Sequence, residues 1–100
     1  MLVHSVYFWL KPGLTAAERA HFRAAVKKLA AIKTIERIYI GAPARVPKRS
    51  VTDRTFDLAL TILFKNAAAH DAYQVDPTHL SFVERNQGTW LRVQVYDSEE

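Results

Sequence analysis

The first strand predicted from the sequence is apolar on both faces, and this feature constrains the fold more than any other. Side chains of a strand alternate between the two faces of a sheet, and Val3–Leu10 fits that alternation. One face carries Leu2, His4, Val6, Phe8 and Leu10, and the other carries Val3, Ser5, Tyr7 and Trp9. A sheet with helices on one face only would leave Tyr7 and Trp9 exposed. Since large exposed apolar faces mark interaction surfaces, we expect a partner on the second face.

The order of the remaining elements predicts the fold class. The elements are strands at Val3–Leu10, Ile35–Ile40, Thr55–Phe64 and Trp90–Tyr96, a helix capped by Thr15, helices at Ala67–Gln74 and Pro77–Asn86, and a loop at Ala42–Asp53. Two βαβ-like halves of about fifty residues each are typical of a ferredoxin-like sandwich. The sequence therefore predicts an α+β fold, in which helices cover one face of a four-stranded antiparallel sheet.

Composition limits the classes of protein to which the chain can belong. With 100 residues, 49% of them hydrophobic, residues 1–100 are expected to form one domain. The absence of cysteine excludes disulfides and thiolate metal sites, and it favours a cytoplasmic location. No apolar run reaches the roughly 20 residues of a membrane span. The net charge is +4, but no basic run or RNA-binding aromatic signature accompanies it, which argues against nucleic acid as a partner.

The segment Tyr73–His79 contains the clearest chemical signal. Asp76 is suited to cap a helix, because its side-chain oxygen can accept a backbone N–H of the first turn. Pro77 fits the first helical position, where a missing N–H has no cost. His79 is thereby placed in the first turn, near the positive end of the helix dipole, which favours its neutral imidazole.

Several segments resemble the stress-responsive A/B barrel domain, the dimeric α/β-barrel family. The similar segments are Val3–Val6, Tyr39–Gly41, Phe56–Leu60, Asp71–His79, Phe82–Val83 and Val95–Asp97. The most specific of them is the pattern Tyr–x–x–(His/Asp)–Pro–x–His at Tyr73–His79. The resemblance covers essentially the whole chain. It implies a homodimer through the sheet faces, in which two four-stranded sheets form a barrel-like core.

The family resemblance also implies candidate site residues. A branch similar to polyketide cyclases uses five groups, of which His4, Tyr73 and His79 are retained here. The first-helix tyrosine falls at Ala25, and the strand-three histidine falls at or next to Leu58. We take His79 as the candidate catalytic base, with Tyr73 and His4 as polarising or orienting partners. A hydrogen bond between His4 and His79, direct or through one water, is a further hypothesis, since one ring could fix the tautomer of the other. Ligand-binding candidates are Phe8, Ala25 and Leu58.

Three functions remain open at this stage. A small apolar or carbonyl ligand, such as a polyketide-like compound, could be bound or undergo proton transfer. Alternatively, the protein is a non-catalytic stress-response or structural dimer, or a cofactor-free oxygenase, so the sequence does not decide whether it is an enzyme. No phosphate-binding loop or dinucleotide fingerprint is present, so no cofactor is predicted.

No metal site is predicted from residue spacing. Asp76 and His79 are three residues apart, but Asp76 is expected to be engaged in capping. His21 and His70 have no partner at ligand spacing, so both are predicted to be surface residues.

Overall fold

Four strands and three α-helices follow one another in the order that the sequence predicts. The computed structural model describes residues 1–100. The elements are β1 (Leu2–Leu10), α1 (Ala16–Lys27) with a following 3₁₀ turn (Lys28–Ala31), β2 (Ile35–Gly41), β3 (Leu58–Phe64), α2 (Ala67–Val75), α3 (Pro77–Asn86) and β4 (Trp90–Glu99). None of the helices has the length and apolarity needed to cross a membrane.

The strands form one antiparallel sheet in the order β2-β3-β1-β4, with the helices on one side. This arrangement confirms the ferredoxin-like α+β fold. In the register of the sheet, His4 on β1 lies opposite Ile62 on β3 and Asp97 on β4. The central strand therefore brings His4 next to a carboxylate that is 93 residues away in the chain.

The core lies between the sheet and the helices. On β1 and β3 every second residue is buried, and these residues face α1, α2 and α3. The core residues are Leu2, Val6, Phe8, Leu10, Phe22, Val26, Leu29, Ile32, Leu58, Leu60, Ile62, Phe64, Tyr73 and Phe82. At the sheet edge, Val93 and Val95 share the helix-facing side with this core but remain 42% and 41% exposed. The helix layer therefore leaves part of β4 uncovered.

The predicted caps fix the starts of the helices. Thr15 Oγ1 accepts the Glu18 N–H at 3.1 Å while Glu18 Oε1 accepts the Thr15 N–H at 2.9 Å, which is a complete capping box. Asp76 Oδ1 accepts the Thr78 N–H at 2.8 Å, as predicted for the cap of α3. Because Asp76 alone separates α2 from α3, the positions of Tyr73 and His79 are closely coupled.

Two strand boundaries differ from the prediction by more than one residue. The third strand was expected to begin at Thr55, but β3 begins at Leu58. The reason is that the side-chain carboxylate of Asp57 takes part in the pairing with β1 at this end of the sheet. Asp57 Oδ2 accepts the Leu10 N–H at 2.8 Å, so a side chain replaces a strand–strand bond. The last strand was expected to end at Tyr96, but β4 continues to Glu99 because its pairing with β1 extends to Leu2.

The sheet face opposite the helices is rich in aromatic side chains. Tyr7 packs against Phe56 and Tyr96 at ring-centroid distances of 5.0 and 6.3 Å. The guanidinium of Arg92 lies 4.1 Å from the ring centroid of Trp9. This open face has the apolar character expected from the alternation in β1.

Candidate functional site

A cavity of about 230 Å³ lies between the sheet and the pair α2 and α3. Ten of its thirteen lining residues are hydrophobic, and the others are His4, Gln74 and His79. Of the residues predicted from the sequence, the structure brings four together in this lining: His4, Phe8, Tyr73 and His79. The cavity is therefore an apolar space with a few polar groups, which is the usual character of a small-molecule site.

The other two ligand-binding candidates lie elsewhere. Ala25 lines a groove of about 450 Å³ between α1 and α3. Leu58 is a core residue at the start of β3, and it lies beside Arg19 and Asp57 in a separate depression. The structure thus does not place Ala25 or Leu58 with His4 and His79.

His4 is a buried histidine with a carboxylate partner. The side chain projects from β1 under the helices, and the residue is only 4% exposed. Its Nδ1 lies 2.5 Å from Oδ1 of Asp97, which the strand register places opposite it. Burial lowers the pKa of His4, and although Asp97 opposes this effect, His70 and His79 act in the same direction as burial. The imidazole is therefore neutral near pH 7, with Nδ1–H donating to Asp97 and Nε2 carrying the electron pair.

Tyr73 packs against both histidines of the cavity. Its ring centroid is 5.9 Å from that of His4 and 4.6 Å from that of His79. The residue is 1% exposed, and burial strongly raises the pKa of its phenol. The hydroxyl consequently keeps its proton at neutral pH and can donate a hydrogen bond to a ligand.

His79 takes its orientation from the backbone. Its Nδ1 lies 3.0 Å from the carbonyl oxygen of Gln74, so in the neutral ring Nδ1–H is the donor and Nε2 is left to accept. A direct hydrogen bond between His4 and His79 is not formed: each Nδ1 contacts a different partner, and in the neutral rings this leaves an acceptor and no donor at either Nε2. Contact between them runs instead through the ring of Tyr73.

Sequence reasoning missed two residues beside His4. Asp97 was overlooked because the last strand was expected to end at Tyr96. His70 was wrongly predicted to be a surface residue, whereas its ring lies at 5.1 Å from His4 and its side chain is 18% exposed. The available signal was the spacing of three residues between His70 and Tyr73, which puts both on one face of a helix.

The lowered pKa of His4 predicts how stability depends on pH. In the unfolded chain this histidine takes up a proton near pH 6.5, whereas the folded protein resists protonation to a lower pH. The stabilising contribution of neutral His4 is therefore complete above about pH 6.5 and is lost as pH falls below it. The free energy of unfolding of the wild type, measured with urea, should fall between about pH 7 and pH 5. The fall should be smaller in His4→Gln. Parallel pH curves for the two proteins would contradict this assignment.

Comparison with known proteins gives a consistent picture of the fold. The family model for the Stress responsive A/B Barrel Domain matches residues 2–100. Among solved structures, a Dabb family protein with a ferredoxin-like fold from Mesorhizobium loti is 24% identical, with a TM-score of 0.80 over 99% of this chain and 95% of that chain. Among curated proteins, no sequence matches this chain.

Two further solved structures have a similar fold. A hydroxynitrile lyase from Passiflora edulis is 20% identical, with a TM-score of 0.79 over 97% of this chain and 90% of that chain. A dimeric ferredoxin-like protein of unknown function from Thermobifida fusca is 18% identical, with a TM-score of 0.78 over 99% of this chain and 90% of that chain. At these identities the likeness concerns the fold alone.

Proposed function

Because this chain belongs to the stress responsive A/B barrel domain family, matching it over residues 2–100, we propose that it acts as a homodimer in which each cavity binds a small carbonyl compound and transfers a proton on it. The observation that carries the proposal is the pair formed by His4 and Asp97. A buried neutral histidine held by a carboxylate, in a mainly apolar cavity with a protonated phenol, supplies a base and a hydrogen-bond donor together.

His4 is the base in this proposal. Its Nδ1–H is directed to Asp97, so Nε2 is the nitrogen that accepts a proton from the carbon next to the carbonyl. The imidazolium formed in that step is stabilised by the charge of Asp97. This role replaces the expectation that His79 is the base, because the partner of His79 is a neutral backbone carbonyl.

Tyr73 and His79 complete the proposed site. As the proton leaves carbon, negative charge develops on the carbonyl oxygen, and a hydrogen bond from the Tyr73 hydroxyl stabilises it. His79 packs against Tyr73 and keeps its ring in place, while Nε2 of His79 accepts a hydrogen bond from a ligand hydroxyl.

The cavity limits the size of the ligand. A volume of about 230 Å³ lies below the roughly 300–1,000 Å³ of sites for drug-sized molecules. Together with the apolar lining, this favours a single-ring or short-chain carbonyl compound. The half-exposed Val93 and Val95 at the edge of the lining mark the side from which such a compound enters.

The homodimer in the proposal forms through the open sheet face. Tyr7, Trp9 and Phe56 give this face an apolar centre that the helices do not cover. The solved protein of this fold from Thermobifida fusca is dimeric, which supports the same association here.

Binding of acetophenone tests the pocket directly. The chain has two tryptophans, Trp90 in the cavity lining and Trp9 on the open face. Titration followed by ¹H–¹⁵N NMR should move the indole signal of Trp90 and leave that of Trp9 unchanged. Tyr73→Phe removes one hydrogen bond to the carbonyl, so affinity should fall about tenfold.

Tyr39→Phe is the matched control, because Tyr39 lies on β2, is exposed, and does not line the cavity. Its affinity for acetophenone should equal that of the wild type. If the shifted signals instead map to the groove beside Ala25, or if Tyr73→Phe binds as tightly as the wild type, the proposed binding mode is wrong.

A further inference from the structure

Three residues with metal-binding side chains converge beside the cavity from three different elements. His4 comes from β1, His70 from α2 and Asp97 from β4, and one ligand atom of each lies within 4.8 Å of the others. We propose that this triad binds a divalent transition-metal ion such as Zn²⁺ or Co²⁺. The inference goes beyond the function proposed above and does not require any particular compound in the cavity.

The distances suit a metal site after small movements of side chains. Zinc bonds to nitrogen and oxygen of about 2.0–2.1 Å place tetrahedral ligand atoms about 3.3 Å apart. The widest separation in the triad therefore has to close by no more than about 1.5 Å, and Nδ1 of His4 and Oδ1 of Asp97, which are 2.5 Å apart, have to separate by about 0.8 Å. Asp97 and His70 have side chains that are 41% and 18% exposed, so they can rotate, whereas His4 is fixed by the core.

Asp71 orients the ring of His70 for metal binding. Oδ1 of Asp71 lies 3.0 Å from Nδ1 of His70, which places the ring proton on Nδ1 and the electron pair on Nε2. A metal-bound histidine commonly donates its second ring N–H to a carboxylate in this way. Gln74 Nε2 is 3.3 Å from Nε2 of His70, and this partly buried amide contact is the one that an ion displaces.

The donor set determines the class of ion. Two imidazoles and one carboxylate suit zinc, cobalt or nickel, whereas magnesium and calcium prefer oxygen ligands alone. Three protein ligands also leave a fourth position open to water or a small ligand. Residue spacing along the chain does not indicate this set, because positions 4, 70 and 97 meet only through the strand register and the packing of α2.

Occupation of the site changes the chemistry of His4. When the ion binds Nδ1, the proton of the neutral ring moves to Nε2, so the nitrogen that faces a ligand becomes a donor. His4 then cannot accept a proton from carbon. Metal binding and the proton transfer proposed above are therefore mutually exclusive states of one residue.

Cobalt titration of the untagged protein tests the site without any substrate. We expect one Co²⁺ per chain, with the intense visible absorption of four- or five-coordinate cobalt, and displacement by Zn²⁺. His70→Gln and Asp97→Asn should each weaken binding at least tenfold, and Asp71→Asn should weaken it severalfold. His21→Gln, which changes an exposed histidine on α1, should bind as the wild type does.

Histidine ¹⁵N chemical shifts provide a second readout in the unaltered chain. Addition of Zn²⁺ should shift the ring nitrogens of His4 and His70 and leave those of His21 in place. The proposal is overturned if cobalt shows only the weak absorption of the six-coordinate hydrated ion, if His70→Gln and Asp97→Asn bind as tightly as the wild type, or if the His4 and His70 signals do not move. Failure to bind acetophenone would leave these metal measurements unaffected, so the two proposals fail separately.

Discussion

Tyr7→Glu should convert the proposed homodimer into a monomer, with an increase of about a thousandfold in the dissociation constant. Tyr7 lies on the central strand β1, on the face away from the helices, and its register neighbours are Ala59 and Gln94. Neither neighbour can neutralise a new carboxylate. In a sheet-to-sheet dimer the charge would be buried, and because Arg92 on the same face is already stacked on Trp9, this desolvation opposes association.

Sedimentation velocity measures the outcome, and Leu80→Glu is the matched control. Leu80 is an exposed leucine on α3, so the same charge is added on the helix side of the molecule. The control should remain dimeric. A dimeric Tyr7→Glu, or a monomeric Leu80→Glu, would place the interface on another surface.

The fold followed from the sequence because its strongest patterns agree with the final packing. Alternation in Val3–Leu10 identified both faces of β1, and the residue pairs Thr15 with Glu18 and Asp76 with Pro77 located the starts of α1 and α3. These patterns involve residues that are close together in the chain, so the structure that they predict does not depend on distant contacts. The start of β3 could not be predicted from such patterns, because the hydrogen bond from Leu10 to Asp57 joins residues that are 47 positions apart.

The site could be predicted only in part, for the same physical reason. His4 was placed by the alternation of β1, and His79 was placed by the cap of α3. Asp97 and His70 reach His4 through an antiparallel register and a helix orientation, neither of which is encoded in a short motif. Asp97 changes the role that we propose for His4, because a carboxylate partner stabilises the protonated ring.

His4→Gln should lower the rate of proton exchange on a bound ketone by about 10²–10⁴-fold, which is the usual contribution of a positioned general base. The reaction to follow is exchange of the acetophenone methyl protons for deuterium in D₂O, measured by loss of the methyl ¹H signal. Glutamine keeps a donor for Asp97 but has no nitrogen that takes up a proton. Asp97→Asn leaves the imidazole in place without its stabilising charge, so its loss of rate should be smaller.

The comparison with His79→Gln decides which histidine is the base. If His4 is the base, His79→Gln weakens binding of acetophenone but keeps most of the exchange rate at saturation. If His79→Gln abolishes exchange while His4→Gln retains it, the assignment based on Asp97 is wrong and the base lies at the start of α3. Wild-type protein that binds acetophenone but exchanges its protons no faster than buffer would instead identify a binding protein, in which a buried histidine and carboxylate serve the structure of the pocket.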